Sequence, residues 1–274
     1  NIMDSFTTEM GAEVYYNRNG FVSMFGMTNG KLNQNVTEFV PGATTVATPD
    51  QNTTVSPTIL AKLGFDKQIN TDLRVRLTGS LSHNSNMSGN PWSSDRAGSR
   101  YYYVMSHAAY NYNATSVTNN ATTDLAANPT TGRFNPGFGN WFTTVMFNPF
   151  VKFKGFEFFG TIELAQGGDK KGVDEARKVN QYAGDVVYRF GTNEKFYVGA
   201  RYNVVSGKLS NATDKVSVNR FESTVGWFMT KNILAKLAYT SQSYNDYSQF
   251  SGNSLNDLYG GKFNGLMFEA VITF

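Results

Sequence analysis

Side chains able to do acid–base or metal chemistry are scarce in this sequence. Its only histidines are His83 and His107, and it contains no cysteine. Neither histidine lies in a His-Glu-x-x-His spacing, which would set two ring nitrogens on one helix face for zinc, and no Gly-x-Ser-x-Gly nucleophile elbow occurs. Ser106 and His107 are adjacent, but neighbours on a strand project to opposite faces, so they cannot share a proton directly. Gly137-Phe-Gly139 is followed by no Lys-Ser/Thr and opens no helix, so it is not a phosphate loop. Without cysteine there is no thiolate nucleophile, thiolate metal site or disulfide framework. The expectation is a protein that is not an enzyme and carries no metal or other cofactor.

The chemistry that does recur is charge at every second position. Arg74 and Arg76 alternate with Leu73, Val75 and Leu77, so both guanidinium groups share the face opposite the leucines. Lys62, Arg189, Arg201 and Lys236 fall on the same polar phase of their own segments, as do Glu157, Asp185 and Glu269. Both signs are present, with bases somewhat ahead.

The elements that carry these charges are strands. In Gly265-Leu-Met-Phe-Glu-Ala-Val-Ile-Thr-Phe274, the apolar residues Leu266, Phe268, Ala270, Ile272 and the terminal Phe274 recur with period two. A segment of about ten such residues is also long enough to cross a bilayer as a tilted strand. The same alternation returns at 7–16, 21–28, 59–66, 73–82, 143–153, 156–165, 181–190, 196–205, 217–229 and 233–242. A Tyr-rich strand is expected at 100–110, and one more near 110–117. Tight turns near 18, 69, 154, 192 and 231 alternate with polar loops near 30–57, 83–98, 118–140, 166–178, 207–216 and 243–260. Asn19-Gly20 is the strongest hairpin signal among them. Short turns at one rim and long loops at the other fit an antiparallel transmembrane β-barrel with periplasmic turns and extracellular loops. A soluble sandwich has no reason to segregate its connections this way.

This layout fixes the remaining expectations. Residues 1–274 read as one all-β barrel domain with about twelve or thirteen strands. Parity starts the first strand in the wrong direction for a complete barrel, so the chain reads as the C-terminal part of a longer one, lacking upstream strands. Lys62, Arg74, Arg76, Arg189, Arg201 and Lys236 become pore-lining candidates, with Arg74, Arg76 and Arg201 as an anion-favouring patch. The segment 134–141 is more aromatic than a solvated loop, and Phe134, Phe138 and Trp141 are candidates for a constriction folded into the mouth. The net charge of +3, without a dense basic block, gives no argument for nucleic acid. No apolar run reaches the length of a membrane helix.

Three segments resemble Gram-negative outer-membrane porins, in particular the phosphate-selective porin O/P-like family of Bacteroidetes-type bacteria. They are Lys195-Phe-Tyr-Val-Gly-Ala-Arg-Tyr-Asn203, Gly226-Trp-Phe-Met-Thr-Lys-Asn-Ile-Leu-Ala-Lys-Leu-Ala-Tyr239 and Gly261-Lys-Phe-Asn-Gly-Leu-Met-Phe-Glu-Ala-Val-Ile-Thr-Phe274. The resemblance covers mainly the final third of the chain. It implies a barrel of about sixteen or more strands, often trimeric, that conducts small hydrophilic solutes or ions passively. It further implies a C-terminal assembly signal carried by Phe268, Ile272 and Phe274. The implied partners are outer-membrane lipid and lipopolysaccharide, the barrel-assembly machinery, and a homotrimer or larger envelope complex. No individual phosphate-binding residue of the family maps onto this sequence. Two other readings stay open: a plugged barrel serving as structural subunit of an envelope complex, and the barrel portion of a TonB-dependent transporter.

Overall fold

The computed structural model describes residues 1–5, 7–31, 55–87, 89–92, 104, 131–168, 175–210, 212–250 and 258–273. They form one antiparallel sheet of eleven strands in strict sequence order. The strands are β1 (Glu9–Arg18), β2 (Phe21–Lys31), β3 (Thr58–Gln68), β4 (Leu73–Asn84), β5 (Trp141–Phe153) and β6 (Phe156–Gly168). They continue with β7 (Arg177–Phe190), β8 (Phe196–Gly207), β9 (Val216–Thr230), β10 (Ile233–Asn245) and β11 (Lys262–Ile272). Each pairs only with its chain neighbours, which suits β-branched and aromatic residues alternating with polar ones.

Eleven strands stand among the described residues, against the twelve or thirteen expected for the chain. The strands expected at 100–110 and near 110–117 lie outside the described residues, except for Val104, which is not in a strand. β4 pairs directly with β5, from Leu73 opposite Phe153 to Asn84 opposite Phe142. The ladder therefore needs nothing between them.

Register carries the alternation across the whole sheet. Leu73, Phe153, Phe156, Tyr188, Val198, Val225, Leu237 and Phe268 stand opposite one another, strand by strand, from β4 to β11. One residue along, Arg74, Lys152 and Glu157 form the facing row on the other side. A slip of one residue in any strand would exchange these faces. Tyr188, Phe190, Phe196 and Trp227 stack in succession across β7 to β9, with centroids about 6 Å apart.

Turns of two to five residues join β1–β2, β3–β4, β5–β6, β7–β8 and β9–β10 at one rim. Asn19 and Gly20 both take positive φ (51° and 89°), as the tightest right-twisting hairpin requires. The longer connections all emerge at the other rim. The sheet is open among the described residues, since β1 and β11 do not pair with each other. Both run toward the short-turn rim, so they are parallel to each other, and direct antiparallel closure between them is excluded.

Candidate pore lining and lumen strap

The two faces of the sheet differ in what covers them. Among the described residues nothing covers the apolar face: Phe153 is 50% exposed, Val225 52%, and Phe268, on the edge strand β11, 70%. Leu, Val, Phe and Tyr side chains continue in this exposed band from β1 to β11, far beyond the apolar patches tolerated on soluble monomers. The buried residues lie on the opposite face, where chain segments outside the strands fold back onto the sheet.

Along that inner face the residue types change from one rim to the other. From the long-loop rim, β7 presents Val179, Gln181, Ala183, Asp185, Val187 and then Arg189. β8 presents Val205, Asn203, Arg201, Gly199 and Tyr197. Val179, Val205, Gln181 and Asn203 sit beneath inward-folded segments and are fully buried, the first three at 0% and Asn203 at 1%. Asp185, Arg189 and Arg201 sit nearer the short-turn rim and remain partly exposed, whereas Arg177, at the long-loop end of β7, is buried.

The inward-folded strap, residues 131–140, connects the long loop to β5. Wall side chains hold its main chain. Arg177 of β7 donates to the carbonyls of Pro136 (2.7 Å) and Gly137 (2.8 Å). Arg220 of β9 and Gln242 of β10 both donate to the Gly132 carbonyl, and the Tyr244 hydroxyl donates to that of Thr131. Phe138 is fully buried, Trp92 meets it edge-on at 5.4 Å, and the Arg177 guanidinium lies 5.5 Å from its ring centre. This packing needs a glycine in the wall: a Cβ on Gly167 would stand 2.6 Å from the Phe138 ring. Tyr244, Tyr247 and Phe250 extend the cluster, and burial pushes the Tyr247 phenol well above its ordinary value, which keeps it neutral.

The expected constriction residues divide between two environments. Phe134 and Phe138 are in the strap's buried cluster. Trp141 begins β5 on the other phase, with its indole against Gly168. Phe142 and Trp92, which the sequence did not single out, join the cluster in its stead, their rings 5.1 Å apart. Trp92 is one of only three tryptophans in the chain and lies in a Gly/Pro-rich loop, which was the available signal.

Toward the short-turn rim the inner wall is ionic. Arg74 makes a two-pronged pair with Asp66 (2.9 and 2.8 Å). Glu157 accepts from Arg189 at 2.8 Å and lies 3.4 Å from Lys152, which also reaches Glu194 at 3.6 Å. Arg201 pairs with Asp185 at 2.7 Å, and Lys236 with Glu269 at 2.6 Å. A cavity of about 790 Å³ opens there, lined by Lys152, Glu157, Arg189, Glu194, Lys195, Phe228 and Lys231. The sequence put bases and acids together on this face, where each charge reads most simply as solvated or paired across strands, and four of the six candidate bases are paired with acids. Arg76 instead lies over Phe150, 5.1 Å from its ring centre, and Lys62 is exposed on β3. Arg74 and Arg201 lie on β4 and β8, four strand spacings or roughly 19 Å apart. The structure therefore does not gather Arg74, Arg76 and Arg201 into one patch.

His83 bonds Thr143 Oγ1 through Nδ1 at 2.8 Å on the outer face, a contact between two strands. His107 lies outside the described residues. Phe268 and Ile272 face outward on β11, and Phe274 lies outside the described residues. Among the described residues there is no cluster of His, Asp or Glu that could hold a metal ion.

No protein-family model matches this chain, and no curated protein does. Among solved structures it is similar to outer-membrane expressed OmpT of Vibrio cholerae, at 11% identity and a TM-score of 0.48. The alignment covers 95% of this chain and 63% of OmpT. A loop-deletion mutant of OmpT gives a TM-score of 0.45 at 11% identity, with 95% of this chain and 61% of the mutant covered. The chain thus spans about three fifths of the length of these structures. It is also similar to the NanC porin, at 9% identity and a TM-score of 0.39, covering 97% of this chain and 93% of that one.

Proposed function

We propose that this chain forms wall and constriction of an outer-membrane porin through which small hydrophilic solutes or ions diffuse passively. One observation carries the reading: the exposed face of every strand is apolar while the facing rows are charged, amide or covered by strap, the inverse of a soluble sheet's outer face. The convex face then meets hydrocarbon, Tyr188, Phe190, Phe196 and Trp227 form part of the girdle at the short-turn interface, and the concave face meets water. In this reading the short-turn rim is periplasmic and the long-loop rim extracellular, with lipopolysaccharide around the latter. Phe268, Ile272 and Phe274 serve the barrel-assembly machinery, and copies associate as trimers or within a larger envelope complex.

The strap at 131–140 narrows the passage, and solutes continue into the ionic vestibule. Because Arg74, Arg189, Arg201 and Lys236 each face a carboxylate, an anion preference falls to Lys62 and Arg76 and to Lys195 and Lys231 in the vestibule. Phosphate selectivity is not part of the proposal. Purified protein in planar bilayers tests it: stable open channels are expected, and a membrane that stays sealed contradicts it. The packed strap favours a second reading, a plugged barrel with a structural role, which the sealed result would support.

A further inference from the structure

The strap is not the only segment on the inner wall. Residues 1–4 lie beneath it, with Ile2 and Met3 both fully buried. Gln181 of β7 reads their main chain as a neighbouring strand would. Its Oε1 accepts from the amides of Ile2 (3.1 Å) and Met3 (3.0 Å), and its Nε2 donates to the Met3 carbonyl (2.9 Å) and to Glu163 Oε2 (2.8 Å). Asn203 of β8 adds a second acceptor for the Ile2 amide at 2.7 Å, while its own Nδ2 donates to the Tyr182 carbonyl at 3.0 Å. The Ile2 carbonyl in turn accepts from the Phe134 amide at 3.1 Å, so the segment props the strap.

We propose that Gln181 and Asn203 form a main-chain clamp that holds segment 1–4 in the lumen as a displaceable plug, whose release widens the passage. The plug role rests on the diffusion reading above. The chemistry of the clamp is what makes release reversible. If the segment leaves, Ile2 and Met3 withdraw from the apolar cluster, and the polar groups they uncover are two amides and a carboxylate, which water can satisfy. Withdrawal of the strap would expose two phenyl rings and also break the bonds that Arg177, Arg220, Gln242 and Tyr244 make to its carbonyls, so the strap stays and the segment moves.

The test uses the absence of native cysteine. Met3→Cys and Ser5→Cys are made singly, reconstituted in lipid vesicles, and treated with a charged maleimide. Met3→Cys should label about tenfold more slowly than exposed Ser5→Cys, and adding Gln181→Ala should abolish that protection. In the cysteine-free chain, Gln181→Ala should also raise single-channel conductance roughly twofold. Asn203→Ala is the milder second variant, and folding of each is checked by heat-dependent gel mobility. Equal labelling of Met3→Cys and Ser5→Cys in the otherwise unaltered chain overturns the clamp. Accelerated labelling with unchanged conductance overturns the plug role. Accelerated labelling with no current through any variant overturns the diffusion reading and the plug role with it, while the clamp stands.

Discussion

The two halves of the inner wall are built on the same strands yet filled by different means. Near the long-loop rim, Val179, Val205, Val216 and Val218 are fully buried in one cluster with Phe134, Phe138, Ile2 and Met3. Near the short-turn rim the same faces of the same strands carry Arg189–Glu157, Arg201–Asp185 and Lys236–Glu269 pairs around an open vestibule. Length of connection explains the division. A two-residue turn such as Lys154-Gly155 cannot reach back over the sheet, so residues near it must satisfy themselves against water and one another. A connection running from 85 to 140 can reach back, and where it does, wall side chains, Arg177 and Arg220 among them, bond its main chain. The comparison teaches that one wall can be dry at one end and wet at the other without any change of strand register.

The largest break expected in this contrast comes from Phe138→Ala. Removing a fully buried ring between Trp92 and Arg177 costs about 3–5 kcal/mol at the strap. Limited proteolysis should then cut within 131–140 while the strands stay intact. Next is Leu237→Arg, a charge on the outer face, which should destabilise the folded protein in lipid by about 2–4 kcal/mol, measured by urea titration in vesicles. Thr224→Arg on the neighbouring inner row is its control and should cost well under half as much. Arg177→Ala leaves two strap carbonyls without their donor and should loosen the strap by about 2 kcal/mol, seen as faster amide exchange at Gly139 and Asn140. The smallest effect on stability, under about 1 kcal/mol, is expected for Glu157→Gln. It releases Lys152 and Arg189 toward the vestibule, so reversal potentials in a salt gradient should move toward anions.

Much of the wall was legible because period two is a local property. Leu73 through Leu81 declared β4, and the inward phase of Arg74, Arg201 and Lys236 followed from the residues beside them. Element ends were less so: β10 runs on to Asn245 and β6 to Gly168, past the last clear alternation, because inward-folded segments cover those ends. The segments folded onto the inner face were only half legible. Aromatic density marked Phe134 and Phe138, but Trp141 belongs to the ladder opposite Gly168, and one residue of phase sends it to the other face. Segment 1–4 has no periodicity, and its partners Gln181 and Asn203 are distant in sequence, so no local pattern could connect them. The acids that neutralise Arg74 and Arg201 lie across strand pairs whose register is set by the turns, which the alternation of a single strand does not show.

The most direct measurement is spin-label accessibility at each position from 233 to 241 on β10, in lipid vesicles, using the cysteine-free chain as background. Labels at 233, 235, 237 and 239 should be reached by oxygen dissolved in the bilayer, and labels at 234 and 236 by a water-soluble nickel chelate that the buried positions 238 and 240 meet less readily. Two profiles out of phase, each with period two, are the predicted result. Profiles that rise and fall together would contradict a wall with hydrocarbon on one side and water on the other.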